Sequence, residues 1–169
     1  MTLLVPFGGS ELAEAALVRA AEFGVVFEED VLAVSVVPQG NDSYARERGW
    51  LDGGESFDLE LIVSRLHEQL VDLCPSANFR HKVVDRRAQP GTIANRIRQV
   101  ARDEDVSMVF LGSENAGRIV SVVSSVGKTV AAGEGYDVVI VRDRQPARIE
   151  RLREASPYRK EKSDFYLPG

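Results

Sequence analysis

The residues of this 169-residue chain best suited to chemistry are glycines and hydroxyls grouped in loops. One group is Phe7-Gly8-Gly9-Ser10, directly after the apolar run from Thr2 to Pro6. A second is the stretch from Gly112 to Gly117, after the apolar run from Val106 to Leu111. Glycines let a backbone come close to an anionic ligand, whose oxygens then accept from N–H groups and hydroxyls. Loops of this kind suit holding a ligand, and no constellation for making or breaking bonds accompanies them.

Other candidates for chemistry carry less. Cys74 is the only cysteine, which excludes an intramolecular disulfide and a cysteine-cluster metal site. Of the two histidines, His67 reads as a surface residue of a helix and His81 as the outward side of a strand, between Arg80 and Lys82. Cys74 itself, before Pro75, reads as a small packing residue. Glu28-Glu29-Asp30 is a charged turn with no converging ligands in view. Gly127-Lys128-Thr129 suggests a phosphate loop, but the glycine needed five residues earlier is Val122. Lys128 therefore reads as a solvated helix residue.

The elements that must position these loops alternate. A strand over 2–6 leads through the glycine loop to a helix that Ser10 caps, with Leu12, Ala15, Ala16, Ala20 and Phe23 at helical spacing and Gly24 as its expected stop. Val31 to Val37 is a second strand, nearly all apolar. Residues 39–56 are polar and glycine-rich without a sustained period and are expected to form an inserted loop. Tyr44 and Trp50 within it make the loop either a lid over the pocket or a mobile excursion with one aromatic anchor. A helix follows from about Phe57 to Leu73, then a strand over Phe79 to Val84 and a helix that Thr92 is expected to cap. Val106 to Leu111 is a fourth strand, a helix is expected between Ile119 and Ala132, and Asp137 to Val141 is a fifth strand.

Strands that alternate with helices and read as continuous β-branched runs form a parallel sheet covered on both faces. The fold class is therefore α/β, a doubly wound five-stranded parallel sheet. Such sheets bind ligands beyond the carboxyl ends of their strands, where strand order reverses. Here those ends are Phe7-Gly8-Gly9, the residues after Val37, and Gly112 to Gly117. Val138, Val139, Ile140 and Val141 form a short apolar strand expected at the sheet edge, and such an edge invites a second chain.

Composition is that of an ordinary globular chain, 44% hydrophobic and 28% charged, so wholesale disorder is excluded. The net charge of −5 is unevenly spread: from Arg142 onward eight Lys/Arg face five Asp/Glu, so the body is the acidic part. An acidic body argues against nucleic acid as partner. No apolar run reaches membrane-spanning length, so no membrane partner and a cytoplasmic location are expected. The charged tail over 144–169 ends in Asp164-Phe165-Tyr166-Leu167-Pro168, an apolar cluster suited to folding back or to a protein partner.

The sequence also resembles a known family. LLVPFGGSELAEAAL at 3–17 is similar to the opening of universal stress proteins, VSMVFLGS at 106–113 to their fourth strand, and SSVGKTVAAGEGYDVVIVRD at 124–143 to their last helix and strand. With the Gln89-Pro90-Gly91-Thr92 turn between them, the resemblance covers residues 1–143 in order. It implies a Rossmann-like fold, also that of the adenine nucleotide alpha hydrolases, and a homodimer paired through the last strand.

ATP-binding members of that family carry glycine, two residues, glycine, nine residues, glycine and then Ser or Thr, together with an aspartate after the first strand. In this chain the first glycine is Gly112, the second position is Asn115, and the third is Ser124, followed by Ser125. The spacer between Asn115 and Ser124 is one residue short, and the aspartate position is Gly8. Asn can adopt the backbone conformation a glycine would use, and Gly117 can serve if the loop shifts register. The altered pattern resembles the branch that keeps the fold without binding nucleotide. The resemblance thus implies a homodimeric stress-response protein that acts by binding, with a degenerate pocket and no catalytic or metal residue. The alternative is a working ATP or AMP site with Mg and at most slow hydrolysis. Pro6, Phe7, Gly8, Val37, Gly112, Asn115, Gly117, Ser124 and Ser125 would line it.

Overall fold

The computed structural model describes residues 1–113 and 135–143. In chain order it contains β1 (Thr2–Pro6), α1 (Glu11–Phe27), β2 (Asp30–Pro38), α2 (Asp42–Glu47), α3 (Leu59–Leu73), β3 (Asn78–Val84), α4 (Pro90–Asp103), β4 (Val106–Gly112) and β5 (Asp137–Val141). The strands form one sheet in the order β3-β2-β1-β4-β5, and every neighbouring pair is parallel. This is the doubly wound sheet expected from the alternation of strand and helix signals.

Because side chains on a strand alternate, each central strand feeds two cores. Leu3 and Val5 of β1, with Val31, Ala33 and Val37 of β2, bury against α1 and α3. Leu4 of β1, with Leu32, Val34 and Val36 of β2, packs with Ile93, Ala94, Ile97 and Val100 of α4. β4 keeps this division through a shift in its register with β1 between Thr2 and Leu3: Val106 and Val109 face the α4 side, Met108 and Phe110 the α1 side. An extra residue of this kind turns a strand locally without ending its pairing.

Three local expectations are corrected. Gly24 does not stop α1, which continues to Phe27 and closes on Glu28 in the left-handed conformation (φ 57°). A Cβ on Gly24 would meet Glu29 O at 2.9 Å, so the glycine lets the chain fold back tightly into β2. Thr92 is not the cap of α4: the helix begins at Pro90, with Gln89 as the flanking residue. Proline's fixed φ suits the first helical position, where no N–H is needed. The 39–56 stretch is not wholly a loop, since Asp42–Glu47 form α2, capped by Asn41, whose side chain accepts from Tyr44 N at 3.0 Å. Six residues with one buried position, Ala45, are too few to display a helical period. The cap of α1 is as expected, Ser10 Oγ accepting from Ala13 N at 3.1 Å.

Candidate ligand crevice at the strand-order reversal

Chain direction across the sheet reverses at β1: β2 and β3 lie on one side of it, β4 and β5 on the other. Crossovers to the two sides leave the carboxyl ends of β1 and β4 facing a common crevice. Those ends carry Pro6, Phe7 and Gly8 on one strand and Gly112 and Ser113 on its neighbour; Val37 lies near the end of β2. Five of the expected site residues are thus brought to one end of three adjacent strands. Asn115, Gly117, Ser124 and Ser125 lie outside the described residues, as do Ser121, Lys128, the helix expected between Ile119 and Ala132, and the tail from 144.

Side-chain placement narrows what these five can do. Phe7 and Val37 are fully buried in the core beneath α1 and α3, so only their backbone atoms can face a ligand. Gly112 is in close contact with α1: a Cβ there would meet the carbonyl carbon of Leu12 at 2.7 Å. This glycine is demanded by helix–strand packing whatever else it does. Gly8 differs, since none of the described residues lies within 4 Å of a Cβ built on it and its φ is outside the left-handed region. Among the described residues, no steric requirement makes position 8 a glycine.

The loop after β1 is fixed from three directions. Ser35 Oγ of β2 donates to Phe7 O, Trp50 Nε1 donates to Gly8 O at 2.7 Å, and Gln69 Nε2 of α3 donates to Gly9 O at 2.9 Å. The same Gln69 amide also donates to Glu14 of α1. Three successive carbonyls therefore each take a side-chain donor from a different part of the chain. Phe7 N donates to Val34 O at 2.8 Å, extending the β1–β2 ladder by one residue.

Trp50 belongs to the 39–56 segment and is only 5% exposed, packed with Ala45, Leu51 and Phe7. Tyr44 lies against its ring at 5.6 Å, and the Arg48 guanidinium covers Tyr44 at 3.4 Å from the ring centroid. Arg65 of α3 donates to Trp50 O at 2.9 Å and to both carboxylate oxygens of Glu55 at 2.8 and 2.9 Å. Asp52 lies 3.9 Å from the same guanidinium, and Arg46 of α2 donates to Glu55 O. The hydrogen bond from Arg65 holds the Glu55 carboxyl below the usual carboxylate range, and Glu55 raises Arg65 in turn. The segment is thus anchored to α3 and to the β1 loop by more than its one aromatic.

Sequence reasoning singled out Trp50 but not its partner, and missed Ser35, Arg65 and Gln69. Ser35 had a legible signal, a lone polar residue in an apolar strand that must find an acceptor when buried. Arg65 and Gln69 had none, being polar residues on a helix rich in them. Elsewhere, His67 stacks on Phe79 with its centroid 5.3 Å away, His81 is exposed, and Cys74 is buried at the end of α3. Ser107 Oγ donates to Glu29, so the acidic turn is engaged in packing. Among the described residues no group of three His, Cys, Asp or Glu is arranged to hold a metal, and no helix is long and apolar enough to cross a membrane.

Comparison with known proteins follows the same lines. The family model described as "Universal stress protein family" matches residues 1–142. Among solved structures, a universal stress protein in complex with cAMP is similar at a TM-score of 0.55 and 18% identity, over 83% of this chain and 96% of that one. UspA from Lactobacillus plantarum is similar at a TM-score of 0.51 and 16% identity, over 84% of this chain and 97% of that one. No curated protein sequence matches. At these identities the structural likeness speaks for the fold, while the family match spans all five strands. This chain belongs to the universal stress protein family.

Proposed function

We propose that this chain is a homodimeric stress-response protein that acts by binding, and that its nucleotide crevice is degenerate. The observation that carries this reading is Gly8. It stands at the carboxyl end of β1, at the strand-order reversal, with no described residue where a side chain would project. A carboxylate at that place could bind the hydroxyls of a ribose; glycine leaves a bound nucleotide without that anchor. The residues of the crevice are Pro6, Phe7, Gly8, Val37 and Gly112, with Asn115, Gly117, Ser124 and Ser125 completing it. The proposed domain runs over 1–143, with 144–169 as a tail for a protein partner. Dimerisation through β5 is supported by its place at the end of the described sheet.

A second reading, retained binding of ATP or AMP with Mg and at most slow hydrolysis, is favoured by the structurally similar universal stress protein solved with cAMP. Calorimetric titration with ATP and Mg²⁺, AMP and cAMP separates the two. Flat titrations at millimolar ligand are expected. Saturable binding at micromolar concentration, or a nucleotide released in stoichiometric amount on acid extraction, would overturn the first reading in favour of the second.

A further inference from the structure

Among the described residues, the side-chain hydrogen bonds that hold residues 50–55 over the end of β1 run through Trp50 and Arg65. Trp50 joins the cap to the crevice, its indole N–H on Gly8 O. Its own carbonyl is held by Arg65, whose guanidinium also grips Glu55 through both carboxylate oxygens. One side chain of α3 therefore fixes both ends of the 50–55 stretch. The burial of the two partners differs sharply. Trp50 is inside the core, whereas the Arg65 and Glu55 side chains are 37% and 29% exposed. Water and solutes reach the fastening but not the residue it fastens.

We propose that Arg65 is a positioning residue of the crevice, acting through Trp50: it holds the cap of residues 41–55 closed so that the indole fixes the Gly8 carbonyl. Treating this end of β1 as the ligand site rests on the function proposed above; the latch itself does not. Planar guanidinium-to-carboxylate pairing fixes orientation as well as distance, so the shape of the β1 loop depends on a residue that need never touch a ligand. An incoming anionic solute has two routes to change that shape. It can compete with Glu55 for the guanidinium, or displace Asp52 from it.

Trp50 is the only tryptophan, so its fluorescence reports the cap alone. The experiment measures acrylamide quenching and emission maximum in the ligand-free full chain for wild type, Arg65→Met, Arg65→Lys and Glu55→Gln, with thermal melting alongside. Arg65→Met is expected to raise the quenching constant about twofold or more and shift emission to the red, as local opening exposes the indole. Glu55→Gln, which keeps size and loses charge, is expected to move both in the same direction by less. Arg65→Lys, which keeps the charge without the fork, is expected to fall between wild type and Arg65→Met. A residue that merely stabilised the fold would lower the melting temperature and leave quenching of the folded protein unchanged. That result in Arg65→Met overturns the proposal, and if this variant does not fold, unchanged quenching in Glu55→Gln does so. Titration of the same proteins with cAMP reads the other claim separately. Flat titrations with the quenching changes intact leave the latch standing and agree with the degenerate crevice. Tight binding by wild type counts against the degenerate crevice alone.

Discussion

The Cα of Gly112 packs so closely on Leu12 that a methyl group there would come within 2.7–2.9 Å of the Leu12 carbonyl carbon, carbonyl oxygen and Cβ. The last residue of β4 and the first turn of α1 thus touch through backbone. A glycine that sequence comparison marks as part of a phosphate motif is independently required for helix–strand approach. Gly112→Ala is accordingly expected to destabilise the fold by about 1–3 kcal/mol, the usual cost of overpacking, because the atoms it meets are the Leu12 carbonyl and the Cβ fixed to that backbone, which cannot swing aside. Thermal unfolding would show this with no ligand added. An unchanged melting temperature would mean that α1 shifts freely.

Gly8 is the counter-case. The absence of described residues around its Cβ position, and its ordinary φ, predict that Gly8→Asp folds with stability within about 1 kcal/mol of wild type, as surface substitutions usually do. If the proposed degeneracy of the crevice lies in the missing carboxylate, calorimetry with ATP and Mg²⁺ is expected to show binding to the variant and none to wild type. Equal, flat titrations in both proteins would place the defect elsewhere, in the Asn115 to Ser125 stretch.

Ser35 is 1% exposed and donates to Phe7 O, 28 residues earlier in the chain. Replacing it with Ala leaves a buried carbonyl without that donor, at an expected cost of about 1–3 kcal/mol. Denaturant unfolding of Ser35→Ala against wild type measures it, with the midpoint lower and the slope unchanged.

The latch also sets a pH dependence. Glu55 titrates below the ordinary glutamate value when folded, because Arg65 donates to it; Asp52 and Glu68 also face that guanidinium, and Arg46 lies on the Glu55 carbonyl. A carboxyl whose folded pKa is depressed contributes stability above its unfolded value and loses it as pH falls through the lowered one. Trp50 quenching is therefore expected to be flat near neutrality and to rise only on acidification below the ordinary glutamate range. In Glu55→Gln that acid-dependent rise should be absent.

At the far edge, Val141 O accepts from Ser113 N at 2.8 Å, which points the backbone groups of Val141 and Val139 toward β4. Those of Val138 and Ile140 then point away from it, since successive residues of a parallel strand bond to opposite sides. If β5 is the dimer seam, Ile140→Pro removes an outward donor while sparing the β4–β5 ladder. Light scattering is expected to show a dimer for wild type at micromolar concentration and a monomer for the variant. A monomeric wild type would contradict the proposed assembly.

Much of the architecture was legible before any coordinates. The apolar strands 31–37 and 106–111, the Ser10 cap and the terminal strand at 137–141 all depend on local pattern, and a parallel sheet follows from strands apolar on both faces. The errors fell where tertiary contact overrode local preference. Gly24 sits inside α1 because β2 begins against it, and α2 places Ala45 in the core cluster that also holds Trp50 and Phe7.

From the chain alone came the family pattern, the loops that face the crevice and the absence of a carboxylate at position 8, since each is a matter of residue type and order. Tertiary structure decided the rest: that Phe7 and Val37 turn inward, that Gly112 serves packing, and that Arg65, Gln69 and Ser35 hold the β1 loop through partners 15 to 60 residues away in sequence. The physical reason is that a hydrogen bond between distant side chain and backbone leaves no period in the sequence, whereas burial of a strand or a helix face repeats every second or fourth residue.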